Sequence, residues 1–195
     1  MKGSDPFMLT IRAFIAVELP EALRQEVASF QADLKSAGSD VKWVEAGHLH
    51  LTLKFLGNIE EAQVASLKEA LAPAVRGISS FTIRLEGIGA FPRTTSPRVI
   101  WVGVTEGNEK LVELANAVEQ ACAGLGFPAE ERPFSAHLTI GRVRSPEHLA
   151  PLVKKLQLAE FRGETPAEIS KLILFQSALS PHGPTYTPLA EIPLG

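Results

Sequence analysis

The chain has 195 residues, 45% of them hydrophobic and 21% charged, and a formal net charge of −3. It can bury an ordinary core, but it has no global basic field to hold long stretches of nucleic acid, so any such substrate has to be gripped locally. The lone cysteine, Cys122, excludes an internal disulfide and a cysteine-based zinc site.

The opening MKGSDPF reads as an expression tag over residues 1–7, with Met8 as the natural start and 8–195 as a single domain. RAFIAVEL, Arg12 to Leu19, is a short apolar run closed by Pro20 and predicts a buried strand, far too short to cross a membrane. Leu23, Val27, Phe30 and Leu34, three and four apart, predict a helix from Glu21 to about Ala37. A strand from His50 to Leu56 stops at Gly57-Asn58, and a helix over Glu60 to Val75 carries Val64, Leu67 and Leu71 on one face. FTIRLEGIGAF, Phe81 to Phe91, alternates as a strand does. After the proline-rich crossing FPRTTSPR come a strand at Arg98–Val104 and a helix at Asn108–Gly124, with Cys122 as a small buried hydrophobe. A strand in SAHLTIGRV, a helix over Pro146–Leu156 behind a Ser145 cap, and a strand in ISKLILFQS complete the pattern. SPHGPTYTP near the end predicts a long loop.

The order β-α-β-α-β thus occurs twice. His50 and His137 are 87 positions apart, and the same offset carries Phe14 onto Trp101, Val17 onto Val104 and Glu60 onto Glu147. Strand meets strand and helix meets helix, so the repeat is an internal duplication, over about 10–91 and 98–179. The expected fold is α+β: two lobes related by a pseudo-two-fold axis around a central cleft.

HLHLTLKFLG and SAHLTIGR each contain His-x-Thr flanked by apolar residues. Residues two apart share one face of a strand, so His50 and Thr52 (with Lys54) face together, opposite Leu51, Leu53 and Phe55. His137 and Thr139 do the same opposite Leu138 and Ile140. A single such word is cheap in any half-buried strand. Two copies at equivalent points of a duplicated unit are costly to keep buried and unpaired, which favours a functional reading. Two imidazoles facing each other across a cleft suit an in-line phosphoryl displacement, one taking a proton from the attacking water and the other delivering one to the leaving oxygen. Threonine hydroxyls and nearby cations would then hold the non-bridging oxygens. Because the repeat makes the histidines near-equivalent, sequence alone leaves open which is acid and which is base.

Both words resemble the His-x-Thr-x motifs of the 2H phosphoesterase superfamily. RAFIAVELP, VKWVEAGHLHLTLKFLG, FPRTTSPRVIWVGV and PFSAHLTIGRVR are more closely similar to the bacterial and archaeal RNA 2′,3′-cyclic phosphodiesterases, historically called 2′-5′ RNA ligases. The resemblance runs from about Leu9 to the last strand. It implies a hydrolase without metal or other cofactor that opens a terminal RNA 2′,3′-cyclic phosphate to a 2′-phosphomonoester, with a weak reversible 2′-5′ ligation. It also implies His50 as proton donor to the departing 3′ oxygen, His137 as the base, and Arg142 as a phosphate contact beside Thr52 and Thr139. The expected partner is an RNA 3′ end bearing the cyclic phosphate, met by a cytoplasmic monomer.

Other residues are open to both readings. Strict alternation points Arg142 away from His137, so it reaches the site only if the strand ends or bulges near Gly141. Lys54 has the correct parity, but its counterpart is Gly141, which suggests a surface lysine. Phe134 is a candidate for base stacking, Trp43 reads more as core, and Arg93, Arg98 and Tyr186 are weaker candidates. His48, His50 and His137 raise a metal reading, which the lack of a matching carboxylate set disfavours. His148 and His182 read as exposed. Two alternatives stand beside the leading reading: a phosphodiesterase for a small cyclic nucleotide or ADP-ribose cyclic phosphate, and a nucleotide- or RNA-binding module without turnover.

Overall fold

The structure, a computed structural model, describes residues 9–181 and 183–195. The tag at 1–7, the start at Met8 and the exposure of His182 lie outside the described residues. The elements follow in the order β1 (Thr10–Glu18), α1 (Glu21–Lys35), β2 (Val41–Trp43), a 3-10 turn (Ala46–His48), β3 (His50–Glu60), α2 (Gln63–Val75), β4 (Phe81–Ile83) and β5 (Leu85–Arg93). Then come β6 (Ser96–Val104), α3 (Asn108–Gly124), β7 (His137–Val143), α4 (Ala150–Leu158), β8 (Ala167–Ile169), β9 (Lys171–Ser180) and β10 (Gly183–Pro193).

Two four-stranded sheets carry the fold, one ordered β10-β9-β1-β3 and the other β2-β7-β6-β5, while β4 and β8 form a small ladder of their own. Every pairing is antiparallel. The run Ala13 to Val17 is buried throughout because β1 lies between β3 and β9 with both faces covered. Ile15 and Val17 enter the main core, whereas Phe14 and Ala16 join Ile173 and Phe175 in a small separate cluster. The helices contribute the residues their spacing predicts, among them Leu23, Val27 and Leu34 from α1 and Leu67 and Leu71 from α2.

The duplication is present, but its halves are woven together. β5, the long last strand of the first repeat, pairs with β6 of the second; β9, its counterpart, pairs with β1 of the first. Helices exchange too, α1 packing on α4 and α2 on α3, with Lys155 of α4 ion-paired to Asp33 of α1 at 2.8 Å. Each sheet therefore draws strands from both repeats.

Several local expectations are corrected. FTIRLEGIGAF is two strands that part at Arg84 and join different sheets, β4 with β8 and β5 with β6. SPHGPTYTP is mostly strand: β10 begins at Gly183 and tolerates Pro184, Pro188 and Pro193 because it is the edge of its sheet. β3 does not stop at Gly57, which takes a left-handed φ of 72° at an irregularity and carries the strand on to Glu60, displacing the start of α2 to Gln63. Ser145 accepts a hydrogen bond from the Glu147 N–H at 3.2 Å in a turn ahead of α4, which starts at Ala150.

Candidate active site

His50 is the first residue of β3 and His137 the first of β7. The two strands approach each other, and both histidines line one cleft of about 950 Å³. Each Nδ1 lies 2.7 Å from the backbone carbonyl two residues earlier, that of His48 for His50 and that of Ser135 for His137. A carbonyl can only accept, so Nδ1 carries the hydrogen and Nε2 is left as the exchangeable nitrogen in both rings. Thr52 and Thr139, two residues on, line the same cleft half-buried, and neither hydroxyl has a protein partner among the described residues.

The aromatic surroundings repeat as well. Phe14 stacks on His50 with centroids 4.8 Å apart, and Tyr186 meets that ring edge-on at 5.2 Å. Trp101, the counterpart of Phe14, stands 6.4 Å from His137, and Phe91 meets His137 edge-on at 5.1 Å. Burial among these rings pushes both imidazoles below their ordinary value. The backbone bond opposes the shift in each. The nearby charge of His48 adds to it at His50, and the Arg142 cation adds to it at His137.

Arg142 reaches the cleft because β7 bulges. Trp101 pairs with Thr139 but Ile100 with Gly141, leaving Ile140 as an extra residue. Past that point the faces are exchanged, so Arg142 joins Thr139 rather than opposing it. The first repeat has the same device at the equivalent residue, Leu53, between the pairs Ala16–Thr52 and Ile15–Lys54. The placing of Lys54 on the face of His50 and Thr52, and of Phe55 on the other face, by strict alternation is thereby overturned. Phe55, the counterpart of Arg142, is 56% exposed at the cleft. Lys54 is no surface lysine: it is 2% exposed and its Nζ donates to Glu119 Oε2 at 2.7 Å and to the Pro128 carbonyl at 3.0 Å. Glu119 in turn accepts from the Glu130 N–H at 3.1 Å, tying β3 to the segment that leads into Ser135 and His137.

Gln31 of α1 braces the second bulge. It is 1% exposed, and its Nε2 donates to the carbonyls of Ile140 at 2.7 Å and Val44 at 2.9 Å. With Lys54 it is one of two buried polar or charged side chains among the described residues.

Phe134 and Trp43 line the cleft and also pack against the main core, Trp43 lying over Gly141. Tyr186 belongs to the cleft, against His50 and against His48 at 5.1 Å. Arg93 and Arg98 are exposed outside it, Arg93 donating to Ser96 Oγ at 3.2 Å. His148 is exposed, and its carbonyl accepts from Ser39 Oγ at 2.7 Å. Burial raises the Cys122 thiol to about 11, as suits a packed hydrophobe. His48 Nδ1 lies 3.9 Å from Glu45 Oε2, and no group of three metal-ligating side chains occurs among the described residues.

Known proteins are similar to this chain in sequence and fold. The chain is 41% identical over 181 residues to an RNA 2′,3′-cyclic phosphodiesterase of Archaeoglobus fulgidus, covering 92% of this chain and 98% of that one. It is 38% identical over 182 residues to the RNA 2′,3′-cyclic phosphodiesterase of Methanothermobacter thermautotrophicus, covering 92% and 96%. Among solved structures, a Thermus thermophilus protein superposes with a TM-score of 0.80 at 29% identity over 94% of this chain and 98% of that one. E. coli LigT with 3′-AMP superposes with a TM-score of 0.77 at 25% identity, covering 95% and 98%. The description "LigT like Phosphoesterase" matches twice, over residues 17–101 and 102–186, one match for each His-x-Thr word, and the chain belongs to that phosphoesterase family.

Proposed function

We propose that this protein hydrolyses the terminal 2′,3′-cyclic phosphate of RNA to a 2′-phosphomonoester, using its two histidines and no metal. The observation that carries the reading is the matched pair of imidazoles in one cleft, each fixed through Nδ1 to the carbonyl two residues back and each with a threonine hydroxyl two residues on. In this mechanism water attacks phosphorus while His137 Nε2 takes its proton. The bond from phosphorus to the 3′ oxygen breaks as His50 Nε2–H protonates that oxygen. Thr52, Thr139 and Arg142 hold the non-bridging oxygens.

Burial and a neighbouring charge, that of Arg142 at His137 and that of His48 at His50, lower both imidazoles. The assignment of base to His137 and acid to His50 follows the family resemblance, and the entering anionic phosphate favours the charged acid. Replacing water by an RNA 5′-hydroxyl gives a 2′-5′ linkage by the same proton transfers, so a reversible ligation belongs to the same chemistry. Phe134 is placed to stack on a base beside this centre. The reading takes the protein to act as a monomer, and no described helix is long and apolar enough to cross a membrane. RNA ends as substrate favour a cytoplasmic location.

Phosphorus NMR of a short oligonucleotide ending in the cyclic phosphate, with excess EDTA, tests the reading. Conversion to the 2′-phosphate supports it. A 3′-phosphate product, or loss of turnover in EDTA, contradicts it.

A further inference from the structure

Lys42 and Arg142 stand directly opposite each other in the β2–β7 ladder. Like charges so placed repel and weaken the pairing unless an anion lies between or beside them. Both side chains are exposed, both line the cleft, and neither enters an ion pair among the described residues. Their placement has a direction. β7 runs from His137 past Thr139 to Arg142, and β2 beyond it is the outer strand of the sheet. The register therefore sets His137, Thr139, Arg142 and Lys42 in order along the cleft towards the edge of the sheet.

We propose that Lys42 forms a second phosphate subsite, which takes the next phosphodiester of an RNA chain while its terminal cyclic phosphate lies at His50, His137 and Arg142. The inference rests on the proposed reaction and extends it to a substrate class: chain ends of two or more nucleotides in preference to cyclic mononucleotides. A cleft of about 950 Å³ leaves room for more than the terminal residue. The overall charge of −3 provides no general attraction for a polyanion, so a local cation has to supply it. A lysine on an edge strand can also serve only to discourage edge-to-edge pairing, and that role would leave the kinetics untouched.

The test compares kcat/KM on uridine 2′,3′-cyclic phosphate and on the dinucleotide UpU ending in the same group, over a salt series, for wild type, Lys42→Gln and Lys42→Arg. The expected result is a wild-type salt slope steeper for the dinucleotide by about 0.7, the increment for one single-strand phosphate. Lys42→Gln removes that increment and lowers kcat/KM on the dinucleotide about three- to tenfold, leaving the mononucleotide unchanged; Lys42→Arg retains most of the dinucleotide rate. Equal salt slopes in wild type, or an equal effect of Lys42→Gln on both substrates, overturn the subsite while leaving the reaction in place. A wild type inactive on both substrates overturns the reaction and the subsite together.

Discussion

Each of the two cleft imidazoles is set by two local features: a carbonyl two residues back that holds Nδ1–H, and burial beside an aromatic ring from the neighbouring strand. Burial favours the neutral form, so in the free enzyme both rings lose their proton below the ordinary histidine value of about 6.5. The base is then competent down to lower pH than an ordinary histidine, while the acid is lost earlier as pH rises. kcat/KM is accordingly a bell whose falling limb lies below about pH 6.5, and the limb for kcat lies higher, because bound phosphate favours the charged acid. Steady-state rates from about pH 4.5 to 8.5 check both limbs. At this scale the sequence is highly informative, since the two words and their spacing single out His50, Thr52, His137 and Thr139. The rings around them are not readable, because Phe14, Phe91, Trp101, Phe175 and Tyr186 come from five strands that only the fold assembles.

At the scale of the element, the bulges at Leu53 and Ile140 decide what the cleft contains. Strict alternation misplaces Phe55 and Lys54 and leaves Arg142 undecided, because one extra residue reverses every later side chain and has no compositional mark. Gln31 gives the second bulge its support from a helix 109 positions away, a contact that helical spacing within α1 does not announce. Gln31→Leu leaves the Val44 carbonyl without this partner, with an expected loss of about 1–3 kcal/mol in stability by denaturant titration. It also lets Arg142 drift, lowering kcat/KM about tenfold. In an Arg142→Ala background the same substitution should cost similar stability but little further activity. Additive losses of activity in that double-mutant cycle would mean that Gln31 does not act through Arg142. β10 escapes a sequence reading for a different reason: its prolines exclude an interior strand but not an edge strand, and the position in the sheet is a property of the fold.

The whole molecule is a duplication that cannot be divided at the boundary of its repeats. β5 and β9 lie in the sheets of the opposite repeat, and the α1–α4 and α2–α3 contacts cross in the same way. The offset of 87 makes the repeat readable. The exchange is not readable, because a strand's pattern records that it is buried but not against which partner. Residues 8–95 expressed alone lack β6, β7, β9 and β10, and are expected to give no cooperative unfolding by circular dichroism, whereas mixing with 96–195 restores it. A folded half would show that the repeats are independent lobes. The weave also keeps the two histidine strands facing one cleft, which the proposed chemistry requires.

The central claim, that both histidines move protons in one reaction, is tested most directly by single-turnover rates of His50→Ala and His137→Ala on an oligonucleotide ending in a cyclic phosphate, alongside their melting temperatures. The account predicts that each variant folds and that each loses about 10²–10⁴-fold in rate. A folded variant of either kind that turns over at close to the wild-type rate would contradict it.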